Sequence, residues 1–205
     1  MATLIDYMQA KALLDSYGIR SAESAYLDSA DAAVRFSAGG PIALKALTDK
    51  ALHKTKSGLI ATWLSNDAQV RVSFDEISRK ASVFKPYRML GQRMVKGGLE
   101  IIVGGSTDAQ FGKMILVGLG GIYVETFRDF AMRVCPITRT DAGLMIDQLR
   151  SGGVIAPDEK SRDVLMDLLV SASRMFAEND MSELDLNPII LHDGTYDAVD
   201  IRMLR

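Results

Sequence analysis

The stretch ELDLNPIILHDGTYDAVDIR, residues 183–202, has the pattern of two strands joined by a tight turn. Asp193 and Gly194 are a strong signal for a type I′ turn, in which both central residues adopt positive φ. A two-residue turn also sets the pairing of the strands that flank it. We therefore predict an antiparallel hairpin in which Leu191 lies opposite Tyr196.

The same register places four polar side chains on one face of the hairpin. Counting back from the turn sets Asn187 opposite Asp200 and Asp185 opposite Arg202, and side chains two residues apart share a face. Two carboxylates and an amide oxygen are ligands that Mg²⁺ accepts, usually together with water and substrate phosphates. The pattern predicts a magnesium site of Asp185, Asn187 and Asp200. A solvent-exposed sheet face with an Asp–Arg pair fits the same residues equally well.

Outside the hairpin, the chain has the mixed pattern of an α+β protein. Apolar spacing and capping residues predict helices that begin near Thr3, Ser29, Asp67, Thr140 and Ser161, and strands at 24–27, 41–47 and 59–64. Residues 88–119 consist of apolar runs broken by glycines, which is typical of strands. The change of pattern at KPYR, residues 85–88, predicts a boundary between two domains, 1–87 and 88–205.

Composition excludes several classes of protein. The 205 residues carry 24 Lys and Arg against 26 Asp and Glu, so no excess positive charge is available to follow a nucleic-acid backbone. No segment approaches the roughly 20 apolar residues of a membrane-spanning helix. The single cysteine, Cys135, cannot form an internal disulfide, which is typical of a reducing compartment. We therefore expect a globular cytoplasmic protein with no nucleic-acid or membrane partner.

Two further features are compatible with phosphate binding. Lys45 lies in the strand PIALKAL, residues 41–47, beside apolar neighbours, where a lysine is costly unless it is paired. A phosphate, a buried carboxylate or a position at the strand edge would each satisfy it. Gly118, Gly120 and Gly121 follow a strand, where their amides could approach an anion closely or could simply form a tight turn.

His53 lies in the segment ALHKTKSG, residues 51–58, between small apolar residues and two lysines. An imidazole with an unperturbed pKa near 6.5 is largely neutral at pH 7 and can attack a phosphoryl group. Lys54 and Lys56 would offset the charge that accumulates. A solvated basic loop without a catalytic role has the same composition, so the residues alone leave both interpretations open.

These segments occur together in the order typical of one protein family. The segments are KALLDSYGI, ALKAL followed by LHKTKSG, GQRMVKGGLEIIVGGSTDAQFG, GLGGIYVE, and ELDLNPII followed by AVDIR. In this combination the chain resembles the ATP-grasp domain of the nucleoside-diphosphate-forming acyl-CoA synthetases, such as the ADP-forming acetate–CoA ligases, within the succinyl-CoA synthetase superfamily. The resemblance covers nearly the whole chain. It implies an α+β, ATP-grasp fold of two α+β subdomains with nucleotide between them.

The resemblance also implies a set of nucleotide-binding residues. Lys45 matches the phosphate-binding lysine of the first subdomain, and Glu100 matches an acid that contacts the nucleotide. The loop of Gly118, Gly120 and Gly121 would hold phosphates. The backbone of Gln92, Arg93, Met94 and Val95 matches the linker that meets adenine.

The chemistry implied by the resemblance uses ATP or ADP as substrate and Mg²⁺ as cofactor. Asp185, Asn187 and Asp200 fall where the superfamily has its magnesium ligands, in agreement with the hairpin register. His53 matches a histidine that carries a phosphoryl group to ADP in the reaction acyl-CoA + ADP + phosphate = acid + CoA + ATP.

A partner is implied as well, because that reaction also needs a CoA-binding domain and a ligase domain. The chain is therefore expected to be the β subunit of a two-subunit enzyme, with an α2β2 assembly, or part of a fused one. A non-catalytic, nucleotide-sensing ATP-grasp module that regulates a partner is the alternative. The absence of a glycine fingerprint after the first strand argues against a Rossmann oxidoreductase.

Overall fold

The structure is a computed structural model of the chain, and it describes residues 3–48, 58–121 and 129–205. Their helices are α1 (Tyr7–Ser16), α2 (Ala30–Ser37), α3 (Asp67–Ala81), α4 (Arg139–Gln148), α5 (Gly152–Ile155) and α6 (Glu159–Glu178). Their strands are β1 (Ser24–Tyr26), β2 (Ile42–Leu47), β3 (Ile60–Leu64), β4 (Arg88–Arg93), β5 (Leu99–Asp108), β6 (Gly112–Leu119), β7 (Phe130–Val134), β8 (Glu183–His192), β9 (Thr195–Ala198) and β10 (Ile201–Leu204).

These elements form two compact units. One unit is Ala22–Lys96, and the other joins Met1–Ser21 to Gly97–Arg205. Among the described residues, no helix has the length and apolar character needed to cross a membrane.

The unit Ala22–Lys96 is a four-stranded antiparallel sheet in the order β1-β4-β2-β3. The alternating side chains Ile42, Leu44 and Ala46 belong to a buried apolar core that includes Val70 and Ile77 of α3. Helices α2 and α3 begin at side-chain caps: the Ser29 hydroxyl accepts from the Ala32 amide, as predicted, and the Asn66 side chain accepts from the Gln69 amide.

The chain passes from one unit to the other after Ser21 and again after Lys96, whereas the sequence predicted a single boundary between residues 87 and 88. Strand β4 explains the difference, because it pairs with β1 on one side and with β2 on the other. It is therefore an interior strand of the first sheet. Its run MLGQR resembles the glycine-broken strands that follow, and such a pattern does not encode which sheet a strand joins.

The second unit is built on an antiparallel sheet in the order β10-β8-β5-β6-β7, with β9 also pairing with β8. One face of this sheet is the core face. It carries Val103, Val117 and Leu184, all fully or almost fully buried, and the ring of Phe176 from α6 lies against Gly105 on the same face. The residues that alternate with these lie on the opposite face.

The predicted hairpin register is confirmed. His192 pairs with Thr195 and Leu191 with Tyr196, and the turn residues Asp193 and Gly194 have φ values of 50° and 66°. The register continues through the break between β9 and β10. Asp185 pairs with Arg202, and the Asn187 amide donates to the Asp200 carbonyl at 3.2 Å.

Two predicted helix starts are wrong by a few residues. Helix α1 begins at Tyr7 and is capped by Asp6, because Thr3 is held in an extended pairing in which its amide donates to the Arg205 carbonyl. Helix α4 begins at Arg139, one residue before the predicted Thr140, because Thr138 is its N-cap and forms a reciprocal capping box with Asp141.

Candidate functional site

The candidate site lies on the face of the second sheet that is opposite the core face. One row of directly paired residues crosses this face from β10 to β7: Arg202, Asp185, Gly104, Leu116 and Met132. The row starts with charged side chains and ends with apolar ones. This face therefore has an acidic half on β8 and β10 and an apolar half on β6 and β7.

The acidic half contains the predicted metal ligands. Burial raises the pKa of Asp185 above its ordinary value of 3.8, and the charge of Asp200 raises it further, while Arg202 works in the opposite direction. The two carboxylates are thus close enough to repel each other. Asn187 lies opposite Asp200 and two residues from Asp185 along β8, and it is exposed, so its side chain is accessible to a ligand.

Glu183 is a neighbour that the sequence did not assign to the site. Its carboxylate accepts a hydrogen bond from Arg202 Nη1 at 2.9 Å. The charge of Arg202 therefore acts on both Glu183 and Asp185. The alternation of side chains along β8 places Glu183 on the same face as Asp185 and Asn187, and this spacing was visible in the sequence.

The oxygen atoms of these side chains fit a magnesium ion whose remaining ligands come from a substrate. Within residues 3–48, 58–121 and 129–205, no group of three or more His, Cys, Asp or Glu side chains is arranged to hold a metal by itself. The predicted set has two carboxylates, Asp185 and Asp200, and one amide oxygen, that of Asn187. Mg²⁺ is usually held by one or two carboxylates, with waters and substrate phosphates completing its octahedral shell.

The glycine loop lies against the start of β5. The Gly120 amide donates to the Glu100 carbonyl at 2.7 Å, and a Cβ atom on Gly120 would lie 2.9 Å from that carbonyl oxygen. Gly121 has a φ of 72°, and its Cβ position is 3.1 Å from Glu100 Oε2. Gly118 lies within β6, where a Cβ would lie 2.7 Å from the Asp129 carbonyl oxygen. All three glycines thus have a packing role, and the Gly120 amide is engaged within the chain.

In the other unit, Lys45 and Gln92 lie on the sheet face opposite the core that includes Leu44. Both side chains are buried, with exposed fractions of 8% for Lys45 and 1% for Gln92. Gln92 pairs with Ser24 of β1, and its Nε2 donates to the Ser24 hydroxyl at 3.2 Å. This face therefore carries a buried cation and a buried amide on adjacent strands.

The predicted adenine linker is tied to its own unit by several hydrogen bonds. The Arg93 amide donates to the Glu23 carbonyl at 2.8 Å, and the Met94 amide donates to the Pro41 carbonyl at 3.0 Å. The Arg93 guanidinium donates to the carbonyls of Phe36 and Gly40, at the end of α2. The Arg93 side chain thus stabilises the fold of its own unit. Val95, two residues further along the linker, is half-buried.

His53 lies outside the described residues, as do its neighbours at 49–57. The other histidine, His192, is beside the hairpin turn, where its Nε2 lies 2.8 Å from Asp197 Oδ2.

The family model for the ATP-grasp domain matches residues 1–204. The chain belongs to the ATP-grasp domain family. The resemblance and the fold class inferred from the sequence are thereby confirmed. The relatives with similar sequences are named as acid–thiol ligases.

Among curated relatives of this ATP-grasp chain, the β subunit of ADP-forming acetate–CoA ligase I from Pyrococcus furiosus is 33% identical over 207 residues. The match covers 96% of this chain and 89% of that subunit. An ADP-forming acetate–CoA ligase I from Archaeoglobus fulgidus is 32% identical, and the match covers 94% of this chain but only 30% of that longer protein.

Solved structures that resemble this chain come from the same class of enzyme. An acetyl-coenzyme A synthetase 1 from Ca. Korarchaeum cryptofilum, in complex with coenzyme A and Ca-AMPCP, has a TM-score of 0.88 and 31% identity over 99% of this chain and 93% of that one. Another structure of that enzyme contains coenzyme A and Mg-AMPPCP, with a phosphohistidine segment that points towards the nucleotide binding site. Its TM-score is 0.84 at 30% identity, over 98% of this chain and 92% of that one.

Proposed function

We propose that this chain is the nucleotide-binding β subunit of an ADP-forming acyl-CoA synthetase of the acetate–CoA ligase type. The observation that carries the proposal is the match to the Pyrococcus furiosus β subunit over 96% of this chain and 89% of that subunit. The overall reaction is acyl-CoA + ADP + phosphate = acid + CoA + ATP. The task of this chain in it is to pass a phosphoryl group between a histidine and ADP.

The proposed roles follow from the chemistry of each group. Lys45 is a buried cation and would bind a phosphate oxygen, while the backbone of Gln92–Val95 would contact adenine and Glu100 would contact the nucleotide. The glycine loop would position the phosphates through its backbone. Asp185, Asn187 and Asp200 would hold Mg²⁺, which when bound neutralises phosphate oxygens and favours an in-line arrangement.

His53 would carry the phosphoryl group. A neutral imidazole nitrogen of His53 would attack the phosphorus of a first phosphohistidine in the partner, and the bond from phosphorus to that first histidine would break as the new one forms. The new nitrogen–phosphorus bond would break in turn when an ADP oxygen attacks and ATP forms. Lys54 and Lys56 would offset the negative charge of the phosphorylated imidazole.

The reaction requires a partner, because CoA and acyl binding are not among the roles proposed for this chain. The β-subunit names of the relatives support an α subunit with the CoA-binding and ligase domains. We propose an α2β2 assembly in the cytoplasm, where a free thiol such as Cys135 is stable.

The test uses the complex of this chain with its α subunit. The variant His53→Ala should bind Mg-ADP with nearly wild-type affinity, as measured by calorimetry, but should form no ATP from acyl-CoA, ADP and phosphate. The matched control is His192→Gln, which changes the other histidine and should retain ATP formation. Full turnover by the His53→Ala complex would exclude the phosphoryl-carrier role.

The regulatory alternative makes a different prediction for the wild-type complex. Nucleotide binding without any phosphoryl transfer, measured with radiolabelled phosphate and acyl-CoA, would indicate a nucleotide-sensing module in place of a ligase subunit.

A further inference from the structure

Two adjacent glycines in the middle of β5 have different surroundings. Gly105 lies on the core face, where an added Cβ would be 3.0 Å from the Phe176 ring. The Phe176 ring therefore explains the absence of a side chain at this position. Gly104 lies on the opposite face, where the nearest described atoms to an added Cβ are the Leu184 carbonyl oxygen at 3.7 Å and Leu116 Cδ2 at 4.0 Å.

Packing within the described residues does not require glycine at position 104. Contacts of 3.7 and 4.0 Å are ordinary van der Waals distances, and Gly104 is not among the glycines with positive φ. Glycine in a strand interior is destabilising relative to alanine. Such a glycine often marks a place where a ligand or another backbone approaches the strand closely.

The position of Gly104 indicates what approaches it. Gly104 pairs directly with Asp185 on one side and with Leu116 on the other, so it lies at the border between the acidic and apolar halves of the face. Directly opposed residues of antiparallel strands have Cα atoms about 4.5–5.5 Å apart. A side chain at position 104 would therefore occupy the space immediately beside the Asp185 carboxylate.

We propose that Gly104 keeps the surface beside Asp185 clear for the metal-bound phosphate chain of the nucleotide. The inference rests on the proposed function, because it needs a nucleotide and Mg²⁺ at Asp185 and Asp200. Phosphates are the part of a nucleotide that a metal held by two carboxylates contacts. Gly104 directly adjoins Asp185, whereas the apolar residues Leu116 and Met132 lie farther along the row.

The test compares Gly104→Ala with Gly105→Ala in the full-length chain. Mg²⁺ with the non-hydrolysable analogue AMPPCP is titrated into each variant by calorimetry, and thermal unfolding is measured without ligand. We expect Gly104→Ala to unfold at or above the wild-type temperature and to bind Mg-AMPPCP at least tenfold more weakly. Gly105→Ala should unfold at a lower temperature, because its methyl group meets Phe176, and its folded fraction should bind normally.

Three outcomes would overturn the inference. Binding by Gly104→Ala within twofold of wild type, with ATP formation retained in the complex, would show that no ligand approaches position 104. A lowered unfolding temperature for Gly104→Ala would show that the glycine has a packing role. Normal binding of Mg-AMPPCP with loss of ATP formation in the complex would assign the space to the phosphohistidine segment. Failure of the wild-type chain to bind Mg-AMPPCP would instead contradict the proposed function itself.

Discussion

Arg202 lies directly opposite Asp185 in the pairing of β10 with β8, and its guanidinium also donates a hydrogen bond to the Glu183 carboxylate in a 2.9 Å ion pair. A permanent cation therefore adjoins the two carboxylates, Asp185 and Asp200, that we propose as metal ligands. It stabilises their charge in the absence of a metal, and it repels a second cation that approaches them.

Removal of this cation should strengthen metal binding in the absence of nucleotide. Arg202→Met is expected to increase the affinity of the chain for Mn²⁺ by about threefold to tenfold at low ionic strength, since a positive charge no longer opposes the ion. The increase should shrink in 1 M salt because of screening. Electron paramagnetic resonance of free Mn²⁺ measures the affinity directly.

The matched control is Arg174→Met, which removes an arginine from an ion pair with Glu178 on α6. It should leave Mn²⁺ affinity unchanged. Weaker Mn²⁺ binding by Arg202→Met would show that Arg202 aligns the carboxylates and that its repulsion of the metal is secondary.

The Arg93 side chain should matter for stability more than for nucleotide binding. Arg93→Lys removes the planar guanidinium, whose two Nη groups donate to the Phe36 and Gly40 carbonyls at 2.9 and 2.6 Å. We expect the free energy of unfolding to fall by about 1–2 kcal/mol, because two half-buried carbonyls lose charged hydrogen-bond donors. Mg-AMPPCP affinity of the folded fraction should be unchanged, since only the backbone of residues 92–95 is proposed to contact adenine.

Arg71→Lys is the control for this prediction. Arg71 forms an exposed ion pair with Asp31 at 2.6 Å, and such pairs contribute about 0–1 kcal/mol. Urea unfolding and calorimetry distinguish the two roles of Arg93. A loss of nucleotide affinity at unchanged stability would place the Arg93 side chain in the binding site.

Asp129 should make stability depend on pH. Burial acts to raise the pKa of Asp129, but hydrogen bonds from Ser151 and from the Arg150 amide outweigh it and hold the pKa below its ordinary value of 3.8. The charged form is therefore stabilised by folding. Its contribution is present above pH 3.8 and is lost as the pH falls through the lowered pKa of the folded state.

Asp129→Asn is expected to lower the free energy of unfolding at pH 7 by about 1–3 kcal/mol, because hydrogen bonds to a charged acceptor are lost. The difference from wild type should shrink as the pH is lowered below 3.8, which urea titrations at several pH values will measure. Asp75→Asn, at an exposed position of α3, should show no such difference. A pH-independent loss in Asp129→Asn would contradict the assignment.

Gly120 should tolerate no side chain. Gly120→Ala places a methyl group 2.9 Å from the Glu100 carbonyl, and overpacking of this kind typically costs about 1–3 kcal/mol. Gly153→Ala is the control, because no heavy atom lies within 4 Å of its Cβ position in α5. It should be neutral or slightly stabilising. Equal unfolding temperatures for the two variants would show that the loop moves away from Glu100 without cost.

Local interactions account for the parts of the fold that were predicted best. The register from Asp185 to Arg202 follows from a two-residue turn, and a turn of two residues leaves the flanking strands only one pairing. The starts of α2 and α3 follow from side-chain caps within three residues of the helix. In each case the deciding atoms are close in sequence.

Other features depended on contacts between distant residues. Strand β4 joins the first sheet through pairs with β1 and β2, at separations of about forty to seventy residues, and its own residue pattern does not indicate those partners. The Arg93 side chain, in a stretch predicted to meet adenine, is directed to the end of α2 for the same reason.

The sequence by itself determined the ATP-grasp family of the chain, the hairpin register and the face shared by Asp185, Asn187 and Asp200, because ordered motifs and a short turn carry this information locally. Only the tertiary structure decided the division after Lys96 and the difference between Gly104 and Gly105. Two adjacent glycines are identical as residues, and which of them meets Phe176 depends on how a distant helix packs against one face of the sheet.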